Sequence, residues 1–112
     1  MRVLACIAAV LGLAAVAACG PARRGVPFGP PLQLTEQERQ GEQLFMEQCH
    51  HCHPGGAAGL GPAINNKPLP GAAMHLQIRK GMGTMPAFPE SLLANAEVDA
   101  IVAYLNKLQQ EQ

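Results

Sequence analysis

Cys49-His50-His51-Cys52-His53 is the stretch on which the reading of this chain turns. Two thiols lie three residues apart and an imidazole follows the second directly. That spacing lets both sulfurs add to the vinyl groups of one haem while the histidine turns inward to ligate its iron. Other chemistries use the same residue types. Nearby thiols in an oxidising setting form disulfides. Zinc normally draws on a second ligand pair, but beyond His53 there is no cysteine and only His75. A redox C-x-x-C is expected beside a βαβ pattern, which this chain lacks. Covalent haem attachment through Cys49 and Cys52, with His53 on the iron, is the expectation.

The segment before the motif reads as a helix from about Thr35 to Gln48. Thr35 and Glu38 have the spacing of a capping box, and Glu36, Glu38 and Glu42 suit the positive end of a helix. Gly41, Leu44 and Phe45 share one face. Glycine inside a helix costs up to ~1 kcal/mol relative to alanine, so its presence points to a close crossing by another helix. Gly71 to Lys80 reads as a short helix with Met74 and Ile78 on one side, Arg79 and Lys80 at its negative end, and Gly81 stopping it. A last helix is expected from a cap at Asn95 through Leu108, with Val98, Ile101, Val102, Leu105 and Leu108 as its apolar stripe. Between them, 54–59 and 65–70 are turn-prone connections. No stretch alternates as a strand does, so the fold is expected to be all-α.

The N-terminus carries different information. Of the first 18 residues, 16 are apolar, all but Arg2 and Gly12. A run this short after Met1-Arg2 reads as a signal peptide rather than a spanning helix. It ends in Val16-Ala17-Ala18-Cys19, which resembles a bacterial lipobox with Cys19 as the lipidated first mature residue. An ordinary secretory signal with an incidental cysteine is the alternative. Seven of the twelve residues from Gly20 to Pro31 are Pro or Gly, the composition of an extended tether. The expected organisation is a signal over 1–18, a lipid-anchored tether over 19–33, and a folded domain over 34–112. Gly20 lacks the acidic character that often marks retention at the inner membrane of bacterial lipoproteins, a slight lean toward the outer one.

Eight Lys+Arg balance eight Asp+Glu, so no basic stripe is available to hold phosphates and nucleic-acid binding is not expected. A domain of fewer than ~80 residues rarely stabilises itself on its own side chains alone. A covalently held haem supplies a large apolar centre.

From about Thr35 to Leu108 the sequence resembles the class I c-type cytochromes, small mono-haem electron carriers. Gly41 and Phe45 stand eight and four residues before Cys49, where that family has a glycine and an aromatic. Gly61-Pro62 matches the Gly-Pro pair after the haem histidine. The resemblance implies that the Pro62 carbonyl accepts the Nδ1–H of His53. Met85-Pro86-Ala87-Phe88 looks like the distal loop, implying Met85 as the sixth iron ligand, with Met82 and His75 as rivals. The run Ala100 to Leu105 resembles the C-terminal helix, which would cross the first helix at Gly41 and Phe45. His50 and His51 are expected to face solvent.

The resemblance implies an electron carrier rather than an enzyme: one haem c, both axial positions filled by protein, and redox partners docking transiently at the haem edge. Lys67, Arg79 and Lys80 form a candidate patch for orienting them. A labile distal site would instead make a ligand sensor or peroxidase. A tethered subunit of a larger oxidoreductase is a third reading. The expected location is the periplasmic side of a bacterial membrane.

Overall fold

Thr35 opens the first helix through reciprocal bonds. Its hydroxyl accepts from the Glu38 N–H at 3.3 Å, and its own N–H donates to the Glu38 carboxylate at 2.7 Å. Two backbone donors at the helix start are thereby satisfied. The same bonds hold the Glu38 carboxyl below the usual carboxylate range. A computed structural model describes residues 31–111, and three α-helices lie within them. They are α1 (Glu36–Gln48), α2 (Gly71–Lys80) and α3 (Asn95–Gln110), with a short 3-10 turn at Pro54–Gly56. The expected signal over 1–18, Cys19 and most of the expected tether lie outside the described residues.

The domain is all-α. Among the described residues the only strand-like pairing is an isolated antiparallel bridge between Met82 and Met85. The core sits where α1 crosses α3. Gly41 and Phe45 are the buried residues of α1, and Val98, Ala100, Ile101, Tyr104, Leu105 and Leu108 those of α3. A Cβ at position 41 would lie 2.5 Å from the Ala100 carbonyl carbon and 3.0 Å from the Ile101 nitrogen, both backbone. The two helices therefore touch main chain to main chain, and only glycine leaves that room. One helical turn on, the Phe45 and Tyr104 rings meet in a tilted arrangement with centroids 5.5 Å apart, a favourable geometry for aromatic quadrupoles. Tyr104 and Ala100 are core residues that the apolar stripe did not include, and Val102, which it did include, is half-buried.

The helix α2 buries Met74 and Ile78 and ends at Gly81, with φ at 67°. Arg79 and Lys80 occupy its last turn, but the two differ in fate. Lys80 is exposed. Arg79 is half-buried and its guanidinium is engaged by the Phe88 and Leu93 carbonyls and the Asn95 side chain.

The start of α3 departs from the sequence expectation. Asn95 is the first helical residue and not the cap, which is Ala94. Glu97 supplies the end-closing bond by accepting the Ala94 N–H at 2.7 Å. Asn95 is diverted: its side-chain oxygen accepts from Arg79 at 2.7 Å and its amide donates to Glu90 at 3.0 Å. The helix also runs to Gln110, two residues past Leu108.

Candidate haem site

The C-terminal end of α1 delivers the cysteine motif. Two amides, of Cys49 and His50, converge on the Phe45 carbonyl at 2.8 and 2.9 Å, and the chain then turns. Cys52 and His53 both donate to the Cys49 carbonyl, at 3.1 and 2.9 Å. The motif is therefore held as one tight turn on a rigid helix end. Cys49 and Cys52 are half-buried free thiols. Burial, with the neighbouring Cys52 adding to it, pushes the Cys49 thiol up to about 11, since desolvation disfavours the thiolate.

His53 is buried, at 8% exposure. Its Nδ1 lies 2.8 Å from the Pro62 carbonyl oxygen. A carbonyl only accepts, so Nδ1 carries the proton and Nε2 keeps its lone pair for a metal. The imidazole is also held flat by its neighbour. A Cβ at Gly61 would sit 2.9 Å from both ring nitrogens, so any larger residue there would push the ring away from Pro62. The loop carrying Gly61 and Pro62 is tied down in turn. Gly61 donates to the Cys52 carbonyl at 2.9 Å, and Ile64 and Asn65 both donate to the Gly56 carbonyl. Gln109, near the end of α3, donates to the Ile64 carbonyl at 2.9 Å. This brace joins residues 45 apart in sequence, and no local pattern signals it.

The expectation that His50 and His51 both face solvent holds for one of them. His51 is exposed and His50 half-buried. His50 turns back onto the motif, its Nδ1 accepting the Gly55 N–H at 3.0 Å.

Across the domain, Met82 and Met85 exchange two backbone bonds, at 3.1 and 2.9 Å, around a turn at Gly83-Thr84. The pair then diverges. Met82 is 69% exposed, whereas Met85 is half-buried and packs against the core. The Met85 Sδ takes a long contact of 3.9 Å from the Gln77 side-chain amide. His75 faces α3 and pairs with Asp99 at 3.6 Å.

Among the described residues no three His, Cys, Asp or Glu side chains converge as a metal cluster would require, so the zinc reading has no geometric support. The donor set fits haem instead. It comprises two unpaired thiols on one turn, a buried imidazole with its Nε2 free, and a half-buried thioether on a separate loop.

Residues 36–105 match the family described as cytochrome c oxidase, cbb3-type, subunit III. This chain is a class I c-type cytochrome. It is 33% identical over 88 residues to the cytochrome c subunit of 4-cresol dehydrogenase (hydroxylating) from Pseudomonas putida, covering 74% of this chain and 77% of that one. It is 36% identical over 77 residues to cytochrome c6 of Bryopsis maxima, covering 60% of this chain and 86% of the relative. No solved structure gives a significant match. The cytochrome's cofactor is covalent haem c, its motif Cys49-x-x-Cys52-His53. It is an electron carrier and not an enzyme.

Proposed function

We propose that this cytochrome is a one-electron carrier whose haem is bound by thioethers from Cys49 and Cys52. His53 and Met85 would ligate its iron. The 2.8 Å contact of His53 Nδ1 with the Pro62 carbonyl carries this reading. It orients the ring, fixes the tautomer and raises the basicity of the free nitrogen. When bound, the haem supplies an iron centre that changes by one electron, and a thioether ligand raises its potential. Met85 is favoured over its rivals by placement. Met82 lies mostly in solvent, and His75 is turned to Asp99 on α3. Pro86 follows Met85 and removes one backbone donor, stiffening the loop that carries it.

Redox proteins are the partners, met through a transient interface at the haem edge below ~1,200 Å². Lys67 and Lys80 are exposed and available to orient them. Arg79 leaves that patch, because its guanidinium is bonded internally. The relative named as a dehydrogenase subunit favours a second reading, in which this domain is a tethered subunit of a larger oxidoreductase. Co-purification under native conditions separates the two: a stable stoichiometric complex supports the subunit, a lone chain the shuttle.

Mixing the reduced protein with carbon monoxide tests the closed distal site. Slow, weak binding is expected, and rapid, tight binding would move the function to a ligand sensor or peroxidase.

The location is part of the same proposal. The apolar stretch 1–18 exports the chain, and lipid on Cys19 tethers it to the periplasmic side of a bacterial membrane, leaning to the outer one. Two or more acyl chains make such an anchor stable. Cys19→Ser is expected to shift the protein from the membrane to the soluble periplasmic fraction. An unchanged distribution would leave the lipid anchor without support.

A further inference from the structure

We propose that Arg79 is the positioning residue of the distal loop: its guanidinium clamps the far end of that loop to α2 and so holds Met85 in place. The inference rests on the reading of Met85 as distal ligand. Three bonds from one side chain carry it. Nη1 donates to the Phe88 carbonyl at 2.8 Å and to the Leu93 carbonyl at 2.7 Å, and Nη2 donates to the Asn95 oxygen at 2.7 Å. Asn95 passes the connection on to Glu90 at 3.0 Å.

The clamp acts on a loop anchored at both ends to the same helical turn. Gly81 donates to the Gln77 carbonyl at 2.8 Å and Phe88 donates to the Ile78 carbonyl at 3.0 Å. Met85 lies between these anchors. Phe88 and Leu93, whose carbonyls Arg79 holds, are buried at 8% and 2% exposure. Bonds from an ionised donor to carbonyls are stronger than neutral ones, and losing the donor leaves those acceptors to find water. A planar fork is needed to serve three acceptors in different directions. A lysine has the charge, and so keeps the favourable interaction with the α2 C-terminus, but not the fork. The pair of substitutions Arg79→Lys and Arg79→Ala therefore separates geometry from charge.

Two readouts on the holoprotein are required. Hydrogen exchange of the Phe88 and Met85 amides reports the loop whatever the iron ligand is. Carbon monoxide association to the reduced protein reports access to the distal face. In both variants exchange at these amides is expected to accelerate by about tenfold or more, the factor set by loss of a charge-assisted bond. Carbon monoxide association is expected to rise in parallel. Arg79→Lys is the milder change, and it answers the question if Arg79→Ala does not fold. Unchanged exchange in Arg79→Lys, or full recovery of both readouts by it relative to Arg79→Ala, would overturn the clamp. Faster exchange with unchanged carbon monoxide binding, in a protein whose wild type shows methionine ligation, would overturn the link to Met85. If the wild type itself lacks methionine ligation, the Met85 reading fails, and the exchange rates alone still decide whether Arg79 holds the loop.

Discussion

Gly41→Ala is expected to be among the most damaging single-methyl additions in this protein. The new Cβ would lie 2.5 Å from the Ala100 carbonyl carbon and 3.0 Å from the Ile101 nitrogen. Neither neighbour is the movable end of a side chain, so α1 and α3 must separate. Separation loosens the packing of Phe45 and Ile101, both fully buried. Two effects oppose each other. Alanine improves helix propensity by up to ~1 kcal/mol. Overpacking of a close-fitted contact costs typically 1–3 kcal/mol and occasionally more, with a backbone clash toward the upper end, so a net loss of about 2 kcal/mol is expected. For a domain of this size each 1 kcal/mol is worth about 4–8 °C, so the holoprotein should melt about 10 °C lower. Thermal unfolding followed by circular dichroism measures it. An unchanged or raised Tm would mean that the helices do not meet at Gly41.

The second large effect is expected at Met85, the proposed distal ligand. Met85→Ala removes the half-buried thioether, and with it the acceptor of the Gln77 contact. Carbon monoxide then no longer competes with an internal ligand. If the ligand-off state of the wild type is populated at about 1%, its removal raises the apparent affinity about a hundredfold. The reduction potential should fall, by on the order of 0.1 V within the ~0.8 V that axial ligation spans. Met82→Ala is the matched comparison, because Met82 belongs to the same turn and is 69% exposed. It should leave potential and carbon monoxide affinity close to wild type. The opposite pattern, with Met82→Ala opening the iron and Met85→Ala silent, would transfer the ligand role to Met82.

Features that depend on residues close together in the chain were legible in its sequence. The capping box of Thr35 and Glu38 spans four residues and stands as expected, as do the limits of α1 and α2. The cysteine motif is likewise local. Gly41 was informative because a glycine is unfavourable inside a helix unless something approaches it. Where tertiary contacts compete with local preference, the reading failed. Asn95 has the chemistry of a cap, but Arg79 takes its oxygen, and the reciprocal bond of Glu97 sets the helix start at Ala94. Sequence proximity groups Arg79 with Lys67 and Lys80 in a surface patch, but its three acceptors, nine to sixteen residues away, take up its guanidinium instead. Gln77 and Gln109 are similar cases: each serves a loop that no periodicity links to it.

The proposed function rests on a covalent haem that His53 and Met85 would hold between them. Absorption spectra of the purified oxidised and reduced protein test that arrangement most directly. Expected are the bands of a c-type haem that resists acid extraction, together with a methionine-to-iron(III) charge-transfer band that disappears in Met85→Ala. Extractable haem, or an oxidised spectrum without that band, would contradict it.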